Sequence, residues 1–97
     1  MAADLLTLVL TPADASSLVA RRVRAARRRA GWSQAELARR AGVGVATIGR
    51  LEGSGRGQLS TLYQVAAALG HLRDFEHLLA ADEPRTLDEL RSRGSDR

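Results

Sequence analysis

The sequence predicts an all-α fold of five short helices, and three observations carry that prediction. The apolar content is almost entirely alanine and aliphatic residues, with one Trp, one Tyr and one Phe, which suits close-packed small helices and is poor for sheets. Apolar residues recur at helical spacing between residues 12 and 81. Start and stop signals, chiefly Ser, Thr and Pro against Gly, punctuate that pattern. With 97 residues the chain holds one small domain, read as an N-terminal arm or strand at 1–11, a helical domain at 12–81 and a tail at 82–97.

The first helix opens at Thr11-Pro12-Ala13-Asp14. Thr11 serves as N-cap, Pro12 sits where a missing N–H costs nothing, and Asp14 lies near the positive end of the helix dipole. The helix runs to Gly31, with Val19, Val23, Ala26 and Ala30 on one side and Arg21, Arg22, Arg24, Arg28 and Arg29 over the remainder. Trp32 follows as a core plug. Ser33-Gln34-Ala35-Glu36 has the form of a capping box and starts a second helix, which carries Leu37, Ala38 and Ala41 inward and stops at Gly42. A third helix spans about residues 45 to 52 and buries Ile48 and Leu51, ahead of a loop from Gly53 to Gly57. Ser60 is expected to cap a fourth helix whose Leu62, Val65, Ala66 and Leu69 form an apolar stripe ending at Gly70. Leu72, Phe75, Leu78 and Leu79 belong to the fifth helix, and Thr86-Leu87-Asp88-Glu89 predicts a short tail helix. The run Leu5 to Leu10 fits no helical face. It reads equally as a strand pairing with its copy in a second subunit or as an apolar arm lying on the helices.

Charge divides the chain. Residues 1–70 hold ten Arg against Asp4, Asp14, Glu36 and Glu52, while residues 71–97 hold five Arg against seven acids, so the first part is the polyanion-binding candidate. All of its basic residues are arginine, whose planar fork grips phosphate and guanine edges. Solvation alone is the ordinary reading of any single one of these arginines, less so of the cluster.

Other classes fall away. Without cysteine there are no disulfides and no thiolate metal sites. His71 and His77 lie six apart with no convergent acid pair, and Asp88 and Glu89 are neighbours that point apart, so no metal, cofactor or catalytic residue is expected. Trp32, Tyr63 and Phe75 read as core or interface residues and not as a base-stacking platform. Leu5 to Leu10 is too short to cross a bilayer and no secretory leader pattern opens the chain, so a soluble cytoplasmic protein with no membrane partner is expected.

Two short helices separated by Gly42-Val43-Gly44 behind a basic helix have the form of a helix-turn-helix. The stretch WSQAELARRAGVGVATIGRLEGSGRG resembles the helix-turn-helix of the Cro and phage-repressor (XRE) family, from roughly Val19 to Gly70. The Ser-Gln-x-x-Leu-Ala box, the Gly-Val turn, the Thr-Ile pair and the Leu-Glu ending occur together at that family's spacing. On this resemblance the glycines punctuate a recognition helix within a five-helix, lambda-repressor-like domain: Gly42 ends the helix before it, Gly44 is its N-cap, and the 53–57 run allows close approach to a phosphate. A nucleotide P-loop is excluded, since no Gly-Lys-Ser/Thr follows and no strand precedes.

The resemblance places Gln34 within reach of a phosphate or base edge and Val45, Ala46, Thr47 and Arg50 on the groove-facing side. Arg50 is the candidate guanine reader, Val45 and Ala46 can touch only thymine methyls, and Arg24, Ser33, Arg56 and Gln58 are phosphate candidates. Val45 and Ala46 stand where the family more often has polar residues, which shifts weight toward phosphate contacts and DNA shape. Arg27 matches the arginine that pairs with the glutamate ending the recognition helix, here Glu52, and is also a phosphate candidate.

Together these imply a homodimeric repressor on a near-palindromic double-stranded DNA operator. The continuation ALGHLRDFEHLLAADEPRTLDEL resembles HipB-type antitoxins, which implies an autoregulating antitoxin that neutralises a HipA-like kinase toxin. The alternatives are a free-standing XRE-type regulator without a toxin and an interaction adaptor that has lost DNA binding.

Overall fold

A computed structural model describes residues 11–82, so the strand or arm expected before residue 11 and the tail helix expected at 86–89 lie outside the described residues. Four α-helices follow in order: α1 (Pro12–Arg29), α2 (Gln34–Ala41), α3 (Val45–Ser54) and α4 (Leu59–Ala68). Two 3₁₀ segments, Leu72–His77 and Ala80–Asp82, come after them, and the described residues contain no strand. The fold is all-α.

The ends of the helices follow local chemistry. At α1 the Thr11 hydroxyl accepts from the Asp14 N–H and the Asp14 carboxylate accepts from the Thr11 N–H, both at 3.1 Å, which completes a capping box. The box expected at α2 forms only by half. The Ser33 hydroxyl accepts from the Glu36 N–H at 3.0 Å, but the Glu36 carboxylate is taken by Arg39 and Arg40 one turn further on. The hydrogen bonds from these two guanidinium groups, those from Arg39 first, hold the Glu36 carboxyl down at about 2. Gly42 closes α2 at φ 72°.

Three boundaries differ from the sequence reading. The third helix continues through Gly53 and Ser54, and Gly55 at φ 71° is its stop. Gly55 is required twice over: its conformation is left-handed, and a Cβ there would stand 2.1 Å from the Ser16 carbonyl oxygen of α1. Glycine thus serves a close helix–backbone approach within the protein. Ser60 does not cap α4; Gln58, with extended backbone, is the N-cap, so Ser60 falls within the first turn. The fifth helix is of 3₁₀ type. Its backbone bonds, Asp74 N–H to His71 and Leu78 N–H to Phe75, each span three residues. It is confined between two left-handed residues, Gly70 at φ 78° and Leu79 at φ 58°.

The core is the meeting of α1, α2, α3 and α4 side chains: Val23, Leu37, Ala38, Ala41, Ile48, Leu51 and Val65, with Leu37, Ile48 and Val65 fully buried. Trp32 packs at its edge, and the Arg40 guanidinium lies 4.2 Å from the centre of the indole. Tyr63 and Phe75 meet edge to face at 5.0 Å, fixing the 3₁₀ segment to α4. α3 rests on both α1 and α2, which leaves one long side of α3 uncovered.

Candidate nucleic-acid interface

α3 forms on one side from Ile48 and Leu51, one turn apart, which enter the core. Its N-cap is Gly44, which has no side chain to offer, so the first N–H groups of the helix receive no side-chain cap. On the side away from the core, Val45, Ala46 and Arg50 are exposed, Val45 to 51 %, and Thr47 and Gly49 are half-buried. The Arg50 guanidinium leans back onto the Thr47 hydroxyl at 3.3 Å. A planar five-donor group thus lies beside two small apolar side chains on one uncovered helix face.

The C-terminal end of α3 is clamped to α1. The Glu52 carboxylate is 2 % exposed and accepts from Arg27 Nε at 2.6 Å and Arg27 Nη2 at 3.0 Å, a two-pronged pair. Arg27 also donates to the Trp32 carbonyl at 2.8 Å, Gln34 Nε2 donates to Glu52 Oε1 at 3.1 Å, and Arg24 donates to the Glu52 carbonyl at 3.0 Å. Burial alone would raise the Glu52 carboxyl. The hydrogen bonds from Arg27 and Gln34, with the charges of Arg27 and Arg24, outweigh it and hold the group below the usual carboxylate range. The hydrogen bonds that Arg27 donates to Glu52 raise Arg27 further still, against its own burial. Among the described residues no buried side-chain nitrogen or oxygen lacks a partner, so the clamp is fully satisfied.

The residues singled out in the sequence therefore divide into two sets. Val45, Ala46, Thr47 and Arg50 share the open side of α3. Arg27, Glu52 and Gln34 form the clamp, with Gln34 turned inward at its amide, and Arg24 is half in it with 44 % of its side chain exposed. Ser33, Arg56 and Gln58 are exposed around the starts of α2 and α4, and no side chain caps α4 at Gln58. The convergence of Arg24, Gln34 and the Trp32 carbonyl on the Arg27–Glu52 pair is not readable from spacing, because these contacts join residues up to 28 positions apart. The stacking of Arg40 on Trp32 is likewise not readable from spacing, since Trp32 precedes α2 and Arg40 lies in its last turn.

Among the described residues no His, Cys, Asp and Glu cluster could hold a metal, and no helix is long and apolar enough to cross a membrane.

Two short helices crossing at a glycine turn, the second with one side bare and its end bolted to a basic helix, define a helix-turn-helix domain, a DNA-binding regulatory module. A family model described as Helix-turn-helix, HTH_3, matches residues 23–75, more than half of the chain. The chain belongs to that family, the helix-turn-helix of Cro/C1 type, and is a DNA-binding regulator. No curated protein and no solved structure matches it.

Proposed function

We propose that this protein is a sequence-specific repressor that binds a near-palindromic operator as a homodimer, laying one α3 in each of two successive major grooves. The carrying observation is the shared exposure of Val45, Ala46 and Arg50 on a helix whose other sides are packed or clamped. In that pose Arg50 swings from Thr47 to the O6 and N7 of a guanine, and Val45 and Ala46 lie against thymine methyls. Arg24, Arg56, Ser33 and Gln58 face the phosphates, with the uncapped N-terminus of α4 offering backbone N–H groups to one of them. The clamp does not read bases; it fixes the angle at which α3 leaves the domain. Few base hydrogen bonds per half-site leave a large share of specificity to groove shape.

The dimer follows from reach, since one α3 of 10 residues spans a single half-site. Exposed Leu72, Leu78 and Leu79 beyond α4 provide apolar surface for the contact between copies. Footprinting of the region upstream of the reading frame tests this: two protected half-sites about 34 Å apart, centre to centre, are expected, and a single unpaired site contradicts the dimer.

The finer reading, an antitoxin that represses its own operon and neutralises a HipA-like kinase, is supported by the resemblance of residues 68–90 to HipB-type antitoxins. A kinase-like reading frame beside this one, and co-purification of its product, are the expected outcomes. A kinase-free neighbourhood leaves a free-standing regulator.

A further inference from the structure

α1 and α4 share little direct contact, and between them and the 3₁₀ segment runs an apolar groove of about 450 Å³. Val23 and Ala66 are buried at its floor, and Leu62, Leu69 and Phe75 are half-buried in its wall. No residue of α3 lines it, so the groove is separate from the face that the DNA reading uses.

Its rim carries the information about what fits. Arg22 and Arg29 both line the groove, both are exposed, and neither has an ion-pair partner among the described residues. Seven residues apart on one helix, they stand two turns apart, about 10 Å along the axis, with an apolar strip between them. The acid on the far rim, Asp74, is answered by His71 at 3.2 Å. A small carboxylate would use one of the two cations and leave the other idle. A helix lying along α1 uses both, setting apolar residues one turn apart into the groove and carboxylates two turns apart against the arginines.

We propose that this groove is a docking site for an acidic amphipathic helix of a partner protein. The apolar strip supplies the contact area and the two guanidinium groups set the register and polarity of the incoming helix.

The test uses the full chain and a fluorescein-labelled synthetic helical peptide with leucines one turn apart and glutamates two turns apart, beside a twin carrying lysine for each glutamate. The acidic peptide is expected to bind saturably and the lysine twin not to. The Arg22→Ala/Arg29→Ala double variant, altered only at exposed positions and therefore able to fold, is expected to weaken binding at least about tenfold while leaving thermal unfolding unchanged. Equal binding of both peptides, no binding, or binding indifferent to the double substitution overturns the proposal. Binding that appears only after residues 83–97 are removed assigns the groove to the chain's own tail, and peptide binding that competes with self-association assigns it to a second copy; either also overturns it. None of these outcomes bears on the α3 reading, whose readout is DNA.

Discussion

Arg27 and Glu52 meet through two hydrogen bonds, at 2.6 and 3.0 Å, across 25 positions of sequence, and so join the last turn of the basic first helix to the C-terminal part of α3. The pair sits in an environment where Glu52 is 2 % and Arg27 9 % exposed. Desolvation offsets much of its attraction, so its value lies in orientation more than in net stability.

Breaking one side of it strands a buried charge. Glu52→Ala and Arg27→Ala are each expected to lower unfolding free energy by about 3–5 kcal/mol, a large part of what a domain of this size has. Removing both partners together, as Arg27→Met with Glu52→Leu, is expected to recover much of that loss. Urea titrations of the three variants check this, and a double variant less stable than either single one contradicts it.

The same carboxylate sets an acid limit. Glu52 binds its proton more weakly when folded than when unfolded, so its contribution is present above the ordinary glutamate value of about 4.3 and is lost as the pH falls through the lower folded value. Glu36, held at about 2, acts in the same direction on the surface of α2. Stability measured from pH 7 down to pH 3 is expected to fall for the unaltered chain, and to fall less steeply for Glu52→Gln, which starts lower. Parallel curves would exclude Glu52 as a source of the acid response.

Two glycines of α3 and its stop are expected to behave oppositely. Gly55 is left-handed and a Cβ there meets the Ser16 backbone, so Gly55→Ala forces α1 and α3 apart and is expected to unfold the domain or displace its melting point strongly downward. Gly53 lies inside the helix with nothing within 4 Å of an added Cβ, so Gly53→Ala is expected to stabilise by about 0.5–1 kcal/mol. Thermal melts of the two variants in one buffer compare them directly.

Much of this fold was legible in the sequence because its signals are local. Thr11-Pro12, Ser33 and Gly42 act on their own helix ends, and the spacing of Ile48 and Leu51 fixes which side of α3 is inside. The failures arose where neighbours compete. Glu36 could close a capping box or pair with Arg39 and Arg40, and two guanidinium groups on the same helix outbid one backbone N–H. Ser60 had the chemistry of a cap, but the chain turns into the helix two residues earlier, at Gln58. Gly55 reads as loop punctuation, although its absent side chain is what lets Ser16 come close. The inward turn of Gln34 depends on Glu52 reaching it from another helix, which no periodicity reports.

On the proposed reading, Arg50 is expected to bear on DNA binding and not on stability. Its side chain is exposed and its hydrogen bond to Thr47 is a surface contact, so Arg50→Ala is expected to leave the urea midpoint within experimental error. Operator affinity is expected to drop by about 1–3 kcal/mol, with relaxed preference at one guanine per half-site. Arg50→Lys is not expected to restore it, since a point charge cannot span O6 and N7 together. Equal loss on operator and random duplex would place Arg50 on phosphate.

The proposed DNA-reading role of the bare side of α3 is tested most directly by titrating the 97-residue protein against its own upstream duplex across salt concentrations. Tight binding at low salt is expected, with a steep linear fall of log affinity with log salt as phosphate counterions are displaced, and a residual preference over random duplex that Arg50→Ala abolishes. No binding at low salt, or binding that ignores both salt and Arg50, would contradict it.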